Sequence, residues 1–321
     1  MSGAARDHGG GLDAAVARYG GRRADWIDLS TGINRVPYPS GHVGSESWTA
    51  LPDATALHRL EAAARLFWGV PDTASLVAAP GASSLIVRLP ELAPPGRVLI
   101  PGPTYNEHAA AFCMQGREVV EEGSAPVAVL VHPNNPDGRL WSLDEVSEQR
   151  LTIIDESFCD TLPARSHVAL TDRPGTIVLK SFGKFWGLAG VRLGFAIGHP
   201  ETLADLAERL GPWAVSGPAL EIGARALEDI GWADETRERL EDDARRLDEL
   251  AADRGATVMG GTSLFRLIET AEGRAWQDAL ARHRIWSRVF PWSGRLLRLG
   301  LPAPSEWARV EEALADVPGR T

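Results

Sequence analysis

The stretch GTIVLKSF (residues 175–182) is a run of β-branched and other apolar residues that leads into a turn containing Gly183 and Lys184. A near-continuous apolar run of this length is typical of a strand covered on both faces, as in a parallel sheet. Helical stretches separate it from four similar runs, at residues 97–101, 125–133, 151–156 and 192–198. The pattern predicts an α/β fold, in which a mostly parallel sheet has helices on both faces.

Two longer segments, residues 56–69 and 232–255, space their apolar residues as amphipathic helices do. After the second segment, short runs of β-forming residues alternate with helical stretches, which predicts a smaller α+β domain. These runs lie at residues 262–269, 284–290 and 295–301. The predicted organisation has three parts: an N-terminal segment that joins the small domain (1–35), a large domain (36–212) and a small C-terminal domain (213–321).

The composition is that of a globular protein with an acidic surface. The chain has 321 residues, 44% of them hydrophobic, and a formal net charge of −10. This charge disfavours nucleic acid and anionic membranes as partners, so an anionic substrate would require a dedicated arginine pocket. No apolar run is long enough to span a membrane, and the N-terminus has no secretory pattern. We therefore expect a cytoplasmic protein that binds a small molecule and neither nucleic acid nor a membrane.

The sequence gives little support for disulfide or metal chemistry. Cys113 and Cys159 are too few for a disulfide framework and do not have the spacing of metal ligands. Six of the scattered histidines are predicted to be polar packing or surface residues: His58, His108, His132, His167, His199 and His283. We predict no metal site.

The turn after residues 175–182 carries the strongest chemical signal. Lysine is the side chain whose amine condenses with an aldehyde, which makes Lys184 a candidate nucleophile. A hydroxyl from Ser181 and the guanidinium of Arg192, which enters the next strand, could together bind a phosphate monoester. An aldehyde and a phosphate are the two ends of pyridoxal phosphate.

Four further elements fit the same cofactor, although each is ordinary by itself. Asp155 ends an apolar strand, where α/β sheets bind ligands, and its carboxylate could pair with a pyridinium nitrogen. Asn135 belongs to a sequence that also reads as a simple Asn-Pro-Asp-Gly turn. Tyr105 follows another strand and could stack on a flat ring. Small residues that open a helix suit a phosphate through their backbone N–H groups: Gly81, Ala82 and Ser83.

In this order, the elements resemble those of fold type I pyridoxal phosphate enzymes, the aspartate aminotransferase group, over nearly the whole chain. The resemblance implies that Lys184 forms the Schiff base, Asp155 holds the pyridine nitrogen, Asn135 reaches the ring hydroxyl and Tyr105 stacks on the ring. Lys184, Asp155 and Tyr105 would be the catalytic residues. The large domain would be the cofactor-binding domain, and the cofactor phosphate would contact Gly81, Ala82, Ser83, Ser181 and Arg192.

Within this group, the two ends of the chain resemble the threonine-phosphate decarboxylase family of cobalamin biosynthesis, which is related to histidinol-phosphate aminotransferases. The opening HGGG and the segment 28–34 look like that family's N-terminus. Arg298 matches an arginine for the substrate carboxylate, and Arg288 falls where the family places an arginine for the substrate phosphate. The resemblance implies a homodimer that decarboxylates L-threonine O-3-phosphate, with substrate contacts from His8, Gly9, Ile33, Asn34, Arg288 and Arg298.

Two positions depart from the pattern of these relatives. Leu51 stands where many of them have a tyrosine that reaches the neighbouring subunit's cofactor phosphate. Phe158 stands where several aminotransferases have a tyrosine beside the ring oxygen of the cofactor. Asn135 would then serve that oxygen without a tyrosine, and the sequence leaves open whether each subunit of a dimer contributes to the other's site.

Parts of the sequence also fit two other classes of protein. Ser181 and Lys184 also fit the S-x-x-K motif of penicillin-binding proteins, and HGGG fits the oxyanion hole of lipases. The other motifs of such serine hydrolases, K-T-G, S-D-N and G-x-S-x-G, are absent from the sequence. A protein that kept the fold only for binding would be expected to lose Lys184 or Asp155.

The leading alternative is an aminotransferase such as histidinol-phosphate aminotransferase. The same cofactor decarboxylates or transaminates, depending on whether the Cα–COO⁻ or the Cα–H bond stands perpendicular to its ring. The sequence does not distinguish these reactions with certainty. It also does not separate threonine phosphate from serine phosphate or histidinol phosphate as the substrate.

Overall fold

The structure is a computed structural model that describes residues 8–145 and 149–319. The described helices are α1 Leu12–Tyr19, α2 Ser45–Thr49, α3 Ala54–Trp68, α4 Ala82–Leu92, α5 Asn106–Met114, α6 Pro200–Leu210, α7 Gly217–Glu228, α8 Ile230–Ala252, α9 Gly273–Arg282 and α10 Trp307–Ala315. The described strands are β1 Ile27–Asp28, β2 Ser75–Ala79, β3 Val98–Leu99, β4 Val119–Val120, β5 Val127–Val131, β6 Leu151–Asp155, β7 Thr176–Ser181, β8 Gly194–Gly198, β9 Thr257–Thr262, β10 Phe265–Glu269, β11 Ile285–Trp286, β12 Arg288–Phe290 and β13 Ser293–Gly300.

These elements form two compact units. The larger unit comprises residues 37–135 and 139–234, and the described part of the smaller unit comprises residues 8–36, 136–138 and 235–319. The domain boundaries that we predicted from the sequence stay a prediction.

The larger unit is built on a seven-stranded sheet in the order β2-β8-β7-β6-β5-β3-β4. All pairs from β7 to β4 are parallel, whereas β8 runs antiparallel to both of its neighbours. The five strands predicted in this region are all present, because their apolar runs match positions buried on both faces of the sheet. The predicted α/β class with a mostly parallel sheet is confirmed.

One face of this sheet forms a core with α4, α5 and α6. Ile153 of β6 and Leu179 of β7 are fully buried in this core. Because side chains alternate along a strand, Asp155 and Ser181, each two residues further on, lie on this same face. Glu156 and Lys180 therefore lie on the opposite face.

Aromatic side chains cover that opposite face. Trp186 stacks on Phe182 with ring centroids 5.3 Å apart, and Trp68 of α3 packs edge-on against Phe195 of β8 at 5.0 Å. Trp186 and Phe195 are completely buried. The two faces of the sheet thus differ: aliphatic residues dominate one, and aromatic residues together with buried charges occupy the other.

The smaller unit contains a four-stranded antiparallel sheet in the order β12-β13-β10-β9 and a parallel pair of β1 with β11. The strands predicted in the C-terminal third are present here, which confirms the predicted small α+β domain. A turn at residues 136–138 joins this unit through Gly261, whose N–H donates to the carbonyl of Asp137 at 2.8 Å. Gly138 has φ +75°, and a Cβ there would lie 2.0 Å from the Gly261 carbonyl oxygen. The turn therefore requires glycine at this position.

Candidate active site

The predicted cofactor residues of the larger unit follow the carboxyl ends of neighbouring parallel strands. Asp155 ends β6, Asn135 follows β5, Tyr105 follows β3 and Lys184 follows β7. The sheet order places these strands side by side, so their carboxyl ends share one edge. This is the edge at which open α/β sheets bind ligands.

Asp155 is buried and held by several hydrogen bonds. One carboxylate oxygen lies 2.8 Å from Nε2 of His108, and the other accepts bonds from the N–H and the hydroxyl of Ser157 at 3.0 and 2.5 Å. Burial acts to raise the pKa of Asp155, but the bonds with His108 and Ser157 outweigh it, so the pKa lies below its ordinary value. Asp155 is consequently an anion at neutral pH.

His108 connects Asp155 to Tyr105. Tyr105 immediately precedes α5, and His108 lies three residues later, inside that helix; the two rings are nearly perpendicular, with centroids 6.0 Å apart. We predicted polar packing or surface exposure for His108, and it is indeed buried. Its bond to Asp155 is a contact that sequence reasoning missed. No local sequence pattern could have revealed it, because the two residues are 47 positions apart.

Asn134 fixes the segment after β5. The Asn134 amide oxygen accepts a bond from the Thr104 hydroxyl at 2.6 Å, and its amide nitrogen donates to the Pro103 carbonyl at 3.1 Å. These bonds tie the segment to the residues just before Tyr105. Asn135 is the next residue and is half-buried, and its contact with a cofactor stays a prediction.

The chain contains only two lysines, Lys180 and Lys184. The Lys184 ammonium lies 5.2 Å from the centroid of the Phe158 ring and is half-buried. Lys180 is completely buried, and its ammonium lies 2.6 Å from a carboxylate oxygen of Glu156. Burial acts to lower the pKa of Lys180, but the attraction of Glu156 and Asp160 outweighs it and raises the pKa above its ordinary value. Lys180 is thus held as an ammonium ion, and the role of Lys184 as the nucleophile stays a prediction.

The predicted phosphate residues converge on the start of α4. Gly81 precedes the helix with φ +84°, and a Cβ there would lie 2.6 Å from a terminal nitrogen of the Arg192 guanidinium. Gly194 is as closely packed, because a Cβ on it would lie 2.4 Å from the backbone nitrogen of Ala82. Ser181 lies opposite Gly194 in the β7–β8 register. The approach of an arginine to a helix N-terminus through two glycines fits a bound phosphate.

Helix α4 begins with Ala82 and Ser83, and Ser83 is exposed. No side chain caps this helix, since Gly81 occupies the capping position. The Ser181 hydroxyl accepts a bond from the Gly183 N–H at 3.2 Å, which fixes the turn towards Lys184. The residues present thus fit pyridoxal phosphate: a phosphate cradle, a half-buried lysine and a buried carboxylate, all supplied by the larger unit.

In the smaller unit, the two predicted substrate arginines lie directly opposite each other. Arg288 of β12 pairs with Arg298 of β13 in the antiparallel register. Arg298 is buried, and its guanidinium donates to the carbonyl of Ser30 at 2.5 Å. The two guanidinium groups are cations of the kind that binds carboxylates and phosphates.

The HGGG segment is packed against the same serine. The Gly10 N–H donates to the Ser30 hydroxyl at 2.7 Å, and a Cβ on Gly9 would lie 2.3 Å from the Ser30 carbonyl oxygen. Ser30 therefore joins the opening segment to Arg298, although His8 itself is exposed. Because a side chain at position 9 would clash with this carbonyl, the position requires glycine.

Asn34 and Ile33 are less clearly placed for a substrate. Asn34 is buried, and its amide oxygen accepts bonds from the Val36 N–H at 3.0 Å and from Arg239 at 2.8 Å. Ile33 is half-buried. Their role in substrate binding stays a prediction.

Two general features concern the whole described chain. Within residues 8–145 and 149–319, no group of three or more His, Cys, Asp or Glu side chains could hold a metal ion. No helix in that part of the chain combines the length and apolar character that crossing a membrane requires.

Comparison with known proteins identifies the family. The family model for class I and II aminotransferases matches residues 121–316, which is more than half of the chain. A threonine-phosphate decarboxylase from Pseudomonas aeruginosa is 41% identical, with 96% of this chain and 97% of that protein aligned. The chain belongs to the threonine-phosphate decarboxylase family, among the class I and II aminotransferases.

Two other comparisons agree with this family. A threonine-phosphate decarboxylase from a Sinorhizobium species is 38% identical over 96% of this chain and 97% of its own length. The solved histidinol-phosphate aminotransferase from Sinorhizobium meliloti, in complex with pyridoxal-5'-phosphate, superposes with a TM-score of 0.83 at 20% identity, covering 97% of this chain and 94% of that one. At 20% identity, the superposition on the histidinol-phosphate aminotransferase establishes the fold alone. Threonine-phosphate decarboxylases and histidinol-phosphate aminotransferases share this fold.

Proposed function

We propose that this member of the threonine-phosphate decarboxylase family decarboxylates L-threonine O-3-phosphate with pyridoxal phosphate, giving (R)-1-aminopropan-2-ol O-phosphate and CO2. The observation that carries the proposal is the opposed pair Arg288 and Arg298, since the substrate has two anionic groups. The relatives named threonine-phosphate decarboxylase, aligned over nearly the whole chain, support it.

The residues of the larger unit would hold the cofactor. Its phosphate would lie among Gly81, Ala82, Ser83, Ser181 and Arg192, its ring against Tyr105, and its ring oxygen near Asn135. The anionic Asp155 would accept a hydrogen bond from the ring nitrogen and keep it protonated. When bound, the cofactor supplies an electron sink that stabilises negative charge at the substrate Cα. Lys184 would bind the cofactor aldehyde and, once displaced by substrate, hold a proton for Cα.

The residues of the smaller unit would determine which bond to the substrate Cα breaks. Arg298 would bind the substrate carboxylate, and Arg288, with His8, would bind the phosphate. Gly9, Ile33 and Asn34 would complete the contacts. Two anchored anions would leave the substrate little rotational freedom about Cα, and the orientation that they impose would decide between decarboxylation and transamination. This is the only part of the proposal that separates the two reactions.

An aminotransferase is the second candidate, because the family model that matches the chain describes aminotransferases. The decisive experiment offers purified enzyme threonine phosphate and, separately, histidinol phosphate with 2-oxoglutarate. We expect CO2 from the first and no glutamate from the second. Glutamate without CO2 would establish the aminotransferase and refute the decarboxylase.

Arg288→Ala is expected to weaken binding of threonine phosphate by about a hundredfold, because a charge-assisted bond to the phosphate is lost. Affinity for pyridoxal phosphate should not change, since the residues of its cradle are in the larger unit. The matched control is Arg295→Ala, which removes a half-exposed arginine of the neighbouring strand β13 and should leave substrate KM unchanged. Equal KM values of wild type for threonine and threonine phosphate would contradict the assignment of Arg288.

The setting of the reaction is also part of the proposal. Cobalamin biosynthesis and a homodimer are implied by the family resemblance, and a cytoplasmic location is expected from the sequence. Leu51 is exposed in the single chain, in keeping with a position near a subunit interface. Sedimentation as a monomer at working concentration would refute the dimer.

A further inference from the structure

A buried cluster of charges lies on the face of the sheet opposite Asp155 and Ser181. The Lys180 ammonium lies 2.6 Å from Glu156 and 3.7 Å from Asp160, and all three side chains are almost completely inaccessible. One cation and two carboxylates leave a net charge of −1 in the protein interior. Such a cluster persists only when every charge is compensated.

Each carboxylate has its own set of donors. Glu156 accepts bonds from the Ser166 hydroxyl at 2.6 Å and from the His167 N–H at 2.5 Å. Asp160 accepts bonds from the indole N–H groups of Trp68 at 2.9 Å and Trp186 at 3.0 Å. Lys180, which belongs to β7, is the one cation of this cluster and lies close to both carboxylates.

The cluster is adjacent in the chain to two predicted cofactor residues. Glu156 follows Asp155, and Lys180 precedes Ser181. The backbone N–H of Glu156 also donates to the Leu179 carbonyl at 3.0 Å, so the ends of β6 and β7 are joined directly beneath the predicted site. A change in the spacing of Glu156 and Lys180 must therefore change the spacing of Asp155 and Ser181 on the other face.

We infer that Lys180 is a positioning residue: by holding Glu156 and Asp160, it fixes the separation of Asp155 and Ser181 to suit the ring nitrogen and phosphate of one cofactor molecule. The inference rests on the proposed function, because it assumes pyridoxal phosphate in this site. It also explains why the chain's second lysine lies only four residues from Lys184 without competing with it, since an ammonium held between carboxylates does not attack an aldehyde.

Lys180→Met tests this role, because methionine fills similar space without the charge. We expect the folded variant to bind pyridoxal phosphate at least about tenfold more weakly than wild type, since a misplacement of about 1 Å is costly in a preorganised site. Affinity is measured by titrating cofactor-free protein and following the absorbance of lysine-bound pyridoxal phosphate, at a temperature well below unfolding. Lys180→Arg, which restores the cation, should recover part of the affinity.

Leu206→Ala is the control for simple loss of stability. Leu206 of α6 is fully buried in the core of the same unit. Its truncation should lower the unfolding temperature and leave cofactor affinity unchanged. A folded Lys180→Met protein with wild-type affinity would overturn the positioning role.

Glu156→Gln keeps the inference testable if Lys180→Met does not fold. Its amide oxygen can still accept from His167, but its NH2 group would face the Lys180 ammonium, so the spacing changes while Asp160 still balances the charge. Weaker cofactor binding is again expected, and unchanged affinity would overturn the inference. If wild type itself binds no pyridoxal phosphate, the proposed function is refuted. If wild type and the variants all bind it with the same affinity, only the positioning role of Lys180 is refuted.

Discussion

Lys184→Ala is expected to lower kcat/KM for threonine phosphate by about four orders of magnitude or more, because the nucleophile that binds the cofactor aldehyde and returns a proton to Cα is lost. The variant should also lack the absorbance band of lysine-bound pyridoxal phosphate. Its fold should be unchanged, since Lys184 is half-buried and its ammonium lies against the Phe158 ring outside the sheet core.

The chain offers an internal control for this prediction, because Lys180 is its only other lysine. Borohydride reduction makes the bond between lysine and cofactor permanent, so mass spectrometry of a digest identifies the labelled residue. Wild type should carry the label on Lys184 alone, and Lys184→Ala should carry none. A label on Lys180 would contradict the assignment and would mean that the cluster with Glu156 opens in solution.

The sequence was sufficient for the fold and for the edge of the sheet that carries the site. The apolar runs of β5, β6 and β7 could be predicted because strands buried on both faces have few polar residues. The position of Asp155 at the end of β6 and of Lys184 after β7 could be predicted, because parallel strands present their carboxyl ends at one edge; the roles of both residues stay predictions. The apolar pattern of the strands and the rule for the carboxyl ends of parallel strands were enough to predict the strands and this edge of the sheet.

The sequence could not reveal contacts between residues that are distant along the chain. The bond between His108 and Asp155 joins a helix to a strand 47 positions away, and the ion pair of Lys180 with Glu156 spans 24 positions. Neither leaves a periodic pattern, and both depend on how helices pack on the sheet. The sequence shows a lysine at residue 180 within an apolar run, but neither its burial nor its partners.

The pairing of Arg288 with Arg298 is another contact that could not be predicted from the sequence. Arg288 and Arg298 were predicted as substrate ligands from the family resemblance, but their pairing depends on the register of β12 with β13. That register shifts between Val289 and Phe290, where the pairing is irregular. A shift of one residue would send one guanidinium to the other face of the sheet.

The second large effect concerns Asp155. Asp155→Asn is expected to lower kcat by about a thousandfold, because an uncharged amide does not keep the ring nitrogen of the cofactor protonated. The native carboxylate is suited to this role, since its bonds with His108 and Ser157 hold its pKa low despite complete burial. Cofactor affinity should fall much less than kcat, because the phosphate cradle at Gly81 and Arg192 is separate from Asp155.

Ser157→Ala provides the matched control, because it removes one hydroxyl bond to Asp155 and leaves the charge, the His108 bond and the backbone N–H of residue 157 in place. Its kcat should fall by less than about tenfold, the value of a single hydrogen bond. The measurement is the rate of CO2 release at saturating substrate and cofactor. If Asp155→Asn and Ser157→Ala lost activity equally, geometry rather than charge would be the contribution of Asp155. A loss in Asp155→Asn alone would show that the buried anion makes the cofactor an effective electron sink.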